Sequence, residues 1–174
     1  MSQNCVGRIE MGMIVCIDTH VLIWGIKKQA STSQSYMVER TTNFLNWLQN
    51  EKQKVIVPTP VLGEFLMRIP ANDYDRVTRQ IQSSFIVPPY DAATASMFAK
   101  IWQINKNNGL PSENGGRDKI KTDSLIVAVA VVNKAKILYS EDPGLQKFAQ
   151  GFIETRSIPL IPRQMELGEN KHIT

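Results

Sequence analysis

Met13-Ile14-Val15-Cys16-Ile17 is an unbroken apolar run rich in β-branched side chains, and Asp18 follows it directly. A run without alternation predicts a strand buried on both faces, which puts Asp18 at its carboxyl end. Residues 21–26 read as helical and 29–35 as a polar loop. Helix resumes over 36–50, where Tyr36, Phe44, Leu45, Trp47 and Leu48 supply an apolar stripe. A second short strand is predicted over 54–57. Pro58-Thr59-Pro60 then starts a helix with Thr59 as N-cap and Pro60 at the first helical position. That helix carries its stripe on Val61, Leu62, Phe65, Leu66 and Ile69, which leaves Glu64 on the flank of the buried face. Further on, the pattern predicts a helix over 72–83, a third strand over 85–87, and a helix capped by Asp91 that runs to Lys106.

Residues 107–121 have no periodicity and contain Gly109, Pro111, Gly115 and Gly116, so a long, disordered loop is expected there. Residues 125–132 are apolar on every face, a pattern that suits a buried helix or a buried strand. Helix is the better reading because Thr122 can cap it, alanines recur at 128, 130 and 135, and a crossover is needed before the strand at 136–139. The Ser140-Glu141-Asp142-Pro143-Gly144 segment opens a short helix through Ala149, and 157–161 is predicted as a last strand. Strand and helix thus alternate, which implies a parallel sheet with helices on both faces and a ligand site beyond the carboxyl ends of the strands. No internal repeat and no second domain is visible.

Composition narrows the setting. The 174 residues, 43% hydrophobic, can build one core without a disulfide or structural metal. Cys5 and Cys16 have no partners at zinc-ligand spacing, which fits a reducing cytoplasm. No apolar run approaches the ~20 residues of a membrane span, and residues 1–10 carry too little apolar character for a signal peptide. A soluble, cytoplasmic protein without membrane association is expected. The net charge of +4 and isoelectric point near 9.1 lean toward an anionic partner. Arg117, Lys119 and Lys121 crowd one glycine-bearing loop, where they could hold phosphates, although a solvated charged loop explains them equally well.

Four acids stand at comparable places: Asp18 after the first strand, Glu64 early in the helix after the second, Asp123 at a helix start, and Asp142 after the strand at 136–139. Gathered at one rim they would repel one another unless a cation neutralised them or one held a proton. Hard oxygen ligands select magnesium or manganese, which can activate water and stabilise charge at a phosphodiester. Each acid also has a purely structural explanation. Asp142 before Pro143 suits a helix N-cap, Asp123 suits a first-turn dipole partner, and Glu64 could pair with Arg68 four residues on. An aspartate that ends a buried apolar strand is the hardest to explain without a function.

These residues resemble a family. Val15-Cys16-Ile17-Asp18-Thr19-His20-Val21-Leu22-Ile23-Trp24 is similar to the opening of PIN domains, an apolar strand, then Asp with Thr or Ser, then an apolar helix. Val57-Pro58-Thr59-Pro60-Val61-Leu62-Gly63-Glu64 resembles the segment bearing their central acid. Asp123-Ser124-Leu125-Ile126-Val127-Ala128-Val129-Ala130 resembles their late helix, and Ala135-Lys136-Ile137-Leu138-Tyr139-Ser140-Glu141-Asp142 the strand delivering their last acid. The correspondence spans 13–162, with 1–12 and 163–174 as flexible or peripheral tails. It implies a three-layer α/β/α sandwich on a mostly parallel sheet of four to five strands, one or two magnesium or manganese ions, and hydrolysis of RNA that leaves a 5′-phosphate. Many bacterial members are toxins of toxin and antitoxin pairs, so an antitoxin partner and a homodimer are expected. By the match, Asp18, Glu64 and Asp123 would be metal ligands, Asp142 a further ligand directly or through water, and Thr19 would orient Asp18 or a water. Asp118 is a reserve candidate, five residues ahead of Asp123. The chain departs from the pattern in its leading residues, its enlarged 107–121 segment, and Leu145 where an aromatic is common.

His20 is read as a local hydrogen-bond partner and Trp24, Trp47 and Trp102 as core or dimer-interface anchors; His172 falls in the tail. Two other functions compete with RNA cleavage. One is a PIN-like module that binds RNA or protein without cutting. The other is a phosphotransferase or phosphatase with Asp18 as nucleophile, which is disfavoured because His20 stands where that chemistry wants a second aspartate.

Overall fold

The computed structural model describes residues 12–110 and 117–161, except the side chains of 117–120. The apolar run before Asp18 forms β1 (Ile14–Ile17), whose Val15, Cys16 and Ile17 are fully buried. Its neighbours are β2 (Lys54–Ile56) on one side and β3 (Ile137–Tyr139) on the other, with β4 (Glu154–Arg156) beside β3. All pairings are parallel, in the order β2-β1-β3-β4, with Val15 level with Val55 and Ile137 and Ile17 level with Tyr139. The expected mixed α/β architecture, a parallel sheet flanked by helices, is the one observed.

β1 leads into α1 (Thr19–Leu22), which continues as a π-helical turn over Ile23–Lys27. Gly25 permits this turn to lie against the next helix, since a Cβ there would stand 2.5 Å from Leu45 Cδ1 and 3.1 Å from Thr41 Cγ2. That next helix, α2 (Tyr36–Asn50), buries Met37, Thr41, Phe44 and Leu48, whose spacing places one stripe toward the core. Phe44 packs on Tyr139 of β3 at a ring separation of 4.6 Å. α3 (Thr59–Leu66) buries Val61, Leu62 and Phe65, and α4 (Tyr74–Ser84) buries Val77 and Ile81. α5 (Ala92–Asn107) packs along α6 (Arg117–Val132), the helix whose Ile126 to Ala130 segment is almost wholly enclosed; α7 (Pro143–Phe148) follows β3. Among the described residues no helix is long and apolar enough to cross a membrane.

Several sequence expectations are corrected. Helix α6 begins at Arg117, inside the segment expected to be a loop, so Thr122 is an interior residue and not a cap, and Asp123 lies well within the helix. The disorder expected of 111–116 lies outside the described residues, as do Cys5, His172 and, Gly12 excepted, both expected tails. Thr59 is the first residue of α3 and makes no capping bond; Pro58 precedes the helix, and the buried Thr59 hydroxyl has no hydrogen-bond partner among the described residues. The strand expected over 85–87 contracts to one parallel bridge between Ile56 and Ile86. The last strand lies at Glu154–Arg156, not at 157–161, where Ile158 is buried as a core side chain. Trp24 belongs to the core, while Trp47 is partly buried and packed against it.

Cys16 is a free thiol inside the sheet, and burial together with the Asp18 charge pushes its pKa far up, which leaves it unreactive. Asp91 caps α5 as predicted: its Oδ1 accepts from the Thr94 amide and hydroxyl, each at 2.8 Å. These bonds hold its carboxyl below its ordinary value of 3.8. A depressed folded-state pKa stabilises the fold above the unfolded value, and that contribution is lost as pH falls through the folded value. Asp91→Asn keeps a capping oxygen without the charge. The melting-temperature advantage of the parent over Asp91→Asn near neutrality is therefore expected to shrink once the pH drops below about 3.8. A gap that stays constant across a pH series would refute the linkage.

Candidate active site

The order β2-β1-β3 means the chain leaves β1 to one side and later returns to the other, which opens a crevice beyond the carboxyl ends of β1 and β3. Asp18 follows β1 and Ser140 follows β3 at neighbouring positions, because Ile17 is level with Tyr139 and the Asp18 amide donates to the Tyr139 carbonyl at 3.2 Å. A cavity of about 370 Å³ opens there, and Asp18, Glu64, Asp123 and Asp142 all line it. The four acids come from four separate elements: the end of β1, the middle of α3, α6, and the start of α7.

Asp18 is only 5% exposed, and donors hold both its oxygens. The Thr19 amide donates to Oδ1 at 2.6 Å and the Ser140 hydroxyl to Oδ2 at 2.8 Å. The Ser140 oxygen in turn accepts from the Asp142 amide at 3.0 Å, so one fully buried hydroxyl ties the first acid to the backbone of the last. Glu64 is half-buried, and its Oε2 accepts from the Thr19 hydroxyl at 2.5 Å. Thr19 therefore acts on two acids, through its amide on Asp18 and its hydroxyl on Glu64. Among the described residues Glu64 forms no ion pair with Arg68, so the pairing considered from the sequence is not the one that holds it. Asp123 is 8% exposed on the pocket face of α6. Asp142 does serve as the N-cap of α7, with Oδ1 accepting from the Gly144 amide at 2.7 Å and the Leu145 amide at 3.4 Å, and it lines the pocket as well.

The structure also brings in residues that sequence reasoning set aside or missed. His20 lines the pocket, with Nδ1 3.6 Å from Asp18 Oδ2 and its ring stacked on Trp24 at 5.1 Å. The adjacent Asp18 carboxylate raises the imidazole above its ordinary pKa, against the opposing effect of burial. Ser140 went unnoticed, as did Met67 and Ile23 on the pocket wall; Arg68 lines it too. A hydroxyl immediately after a buried strand, level with an aspartate after the neighbouring strand, was the signal for Ser140. Of the predicted phosphate-holding residues, Lys121 is exposed and does not line the pocket, while the side chains of Arg117, Asp118 and Lys119 lie outside the described set.

As placed, no group of three or more His, Cys, Asp or Glu side chains among the described residues stands close enough together to hold a metal ion. In kind the donors fit magnesium or manganese, since every candidate ligand is a hard carboxylate oxygen. A carboxylate oxygen has two lone pairs, so the bonds from Ser140, Thr19 and the Thr19 amide leave acceptor capacity on Asp18 and Glu64.

No protein-family model matches the sequence, and no curated protein matches it either. Solved structures do resemble the fold. The VapBC2 complex of Rickettsia felis bound to a DNA fragment from its promoter contains a chain at TM-score 0.61 and 15% identity, over 83% of this chain and 98% of that one. VapBC-1 from nontypeable Haemophilus influenzae contains one at 0.59 and 12%, over 83% and 98%. FitAcB from Neisseria gonorrhoeae contains one at 0.57 and 17%, over 81% and 95%. Identities this low speak for the backbone alone, and on that ground the chain has the PIN-like α/β fold that these structures share.

Proposed function

We propose that this chain is a divalent-metal-dependent endoribonuclease of the VapC type, the toxin of a toxin and antitoxin pair. The observation that carries the reading is the convergence of Asp18, Glu64, Asp123 and Asp142, from four elements far apart in sequence, on one pocket at the strand-order switch. A structural N-cap or a lone helix-dipole partner accounts for any one of these acids, but not for their meeting. The structural likeness to chains from VapBC and FitAcB complexes supports the toxin assignment and a protein antitoxin as partner.

Asp18, Glu64 and Asp123 would hold magnesium or manganese, with Asp142 a further ligand directly or through water. Bound there, the cation would supply a lowered pKa for an attacking water and neutralise charge at the phosphodiester. The protein's own part is to fix the acids. Ser140 and the Thr19 amide orient the Asp18 carboxylate, and the Thr19 hydroxyl orients Glu64, which fixes the direction in which each acid would offer its free lone pairs. Half-buried and buried acids lining an open pocket leave room for a phosphodiester to reach them.

The test is a panel of radiolabelled single-stranded and structured RNAs incubated with manganese, magnesium or chelator. Cleavage is expected only with metal, with products bearing a 5′-phosphate. Tight RNA binding with no cleavage in any metal would favour the non-cutting module instead.

A further inference from the structure

Beside the acids, the pocket has a second kind of wall, built from His20, Ile23, Met67 and Arg68. Arg68 is the one lysine or arginine that lines the pocket among the described residues, and it follows α3 one turn after Glu64. At that spacing an arginine ordinarily folds back onto the glutamate. Here the Thr19 hydroxyl occupies Glu64, and the Arg68 guanidinium makes no ion pair or hydrogen bond among the described residues. Its backbone is held all the same, because the Lys27 ammonium donates to the Arg68 carbonyl at 2.5 Å and the Arg68 amide donates to the Phe65 carbonyl at 3.0 Å. An anchored backbone with an unpaired, exposed guanidinium beside carboxylates is an arrangement that waits for an anion. The adjoining Met67, 80% exposed, adds an apolar surface next to that charge.

We propose that Arg68 holds an RNA backbone phosphate adjacent to the one being cleaved, with Met67 lying against the neighbouring base. The proposal rests on reading the acid pocket as the nuclease site. A guanidinium presents a planar fork that matches two phosphate oxygens, and it cannot lose its charge, so it suits binding and register and not proton transfer. Arg68 is in this view a positioning residue. It takes the role that the sequence suggested for Arg117, Lys119 and Lys121, on a different element.

The experiment uses the full chain and a fluorescein-labelled 20-nucleotide random-sequence RNA, followed by anisotropy in chelator so that nothing is cut. Arg68→Ala is expected to weaken binding about tenfold and to lower the slope of log affinity against log salt by about 0.7, the value for one single-strand phosphate contact. Arg68→Lys should recover part of the affinity and all of the slope, Arg68→Gln should behave as the alanine variant does, and Arg76→Ala, an exposed cation on α4 paired with Asp73, should change neither. With manganese and cleavable RNA, Arg68→Ala should raise KM about tenfold and leave kcat within about twofold. Unchanged affinity and slope in Arg68→Ala would overturn the inference and leave this wall to a protein partner; so would a loss confined to kcat, or a parent that does not bind RNA at all. If Arg68-dependent binding is found but the parent cuts nothing with any metal, the nuclease reading fails and the phosphate site stands.

Discussion

Asp18→Asn is expected to abolish metal-dependent RNA cleavage, by roughly 10³-fold or more, without unfolding the protein. Losing a single transition-state donor typically costs roughly 10²–10³ in rate. Asp18 is asked to do more, because it would be a metal ligand and is held by donors from both β1's exit and β3's exit. The fold should survive. Asparagine has the same shape, its carbonyl oxygen can still accept from the Thr19 amide, and its amide can donate to the Ser140 oxygen once that hydroxyl rotates. Removing a charge that is 5% exposed also removes the desolvation it suffers. Manganese titration calorimetry on the same preparation should show the binding heat lost, with a melting temperature close to that of the parent. If variant and parent, purified identically, cleave RNA at equal rates, the activity is a contaminant. If the variant binds manganese as the parent does, Asp18 is no ligand.

What could be read from the sequence follows the range of the interactions involved. β1 was legible because five apolar residues in a row leave no exposed face. α2 was legible from its apolar residues, but of the expected stripe only Phe44 and Leu48 are buried, Leu45 and Trp47 are partly buried and Tyr36 is exposed, while Met37 and Thr41 complete the core face. Asp18 and Asp142 were legible as candidates because they stand at element ends, whereas Asp123 was singled out on a helix start that the structure moves back to Arg117 and Glu64 on the flank of its helix's apolar stripe. Where a pattern was short or masked, the reading failed. Glu154-Thr155-Arg156 forms β4 although it has no apolar residue, since an edge strand needs only backbone pairing with β3. The more apolar 157–161 was chosen in its place. The charged Arg117 to Lys121 turn hid the start of α6 behind Gly115 and Gly116. Contacts across the fold were out of reach altogether. Nothing local announces that the Thr19 hydroxyl will bond a glutamate 45 residues away, or that Ser140 will bond an aspartate 122 residues before it.

That second contact carries the other large effect. Ser140→Ala is expected to weaken manganese affinity about 10–100-fold, the usual range when a group that orients a metal ligand is removed. Two things are lost with the hydroxyl. Asp18 Oδ2 loses the donor at 2.8 Å, and His20 stands farther off at 3.6 Å, so the carboxylate gains freedom to rotate. The Asp142 amide loses its acceptor, so the loop that carries the last acid is no longer tied to the first. A fall in stability of about 1–3 kcal/mol should accompany this, since Ser140 is completely enclosed and the groups left behind are desolvated. A purely structural serine would show only that fall: the folded variant, measured well below its melting temperature, would bind manganese and cleave RNA as the parent does. A positioning serine instead lowers metal affinity and kcat in the folded protein while KM for RNA stays near the parental value, because the Arg68 wall does not touch Ser140's bonds. Calorimetry and single-turnover kinetics at a temperature where circular dichroism shows the variant fully folded separate the two, and unchanged metal affinity under those conditions would reduce Ser140 to a packing residue.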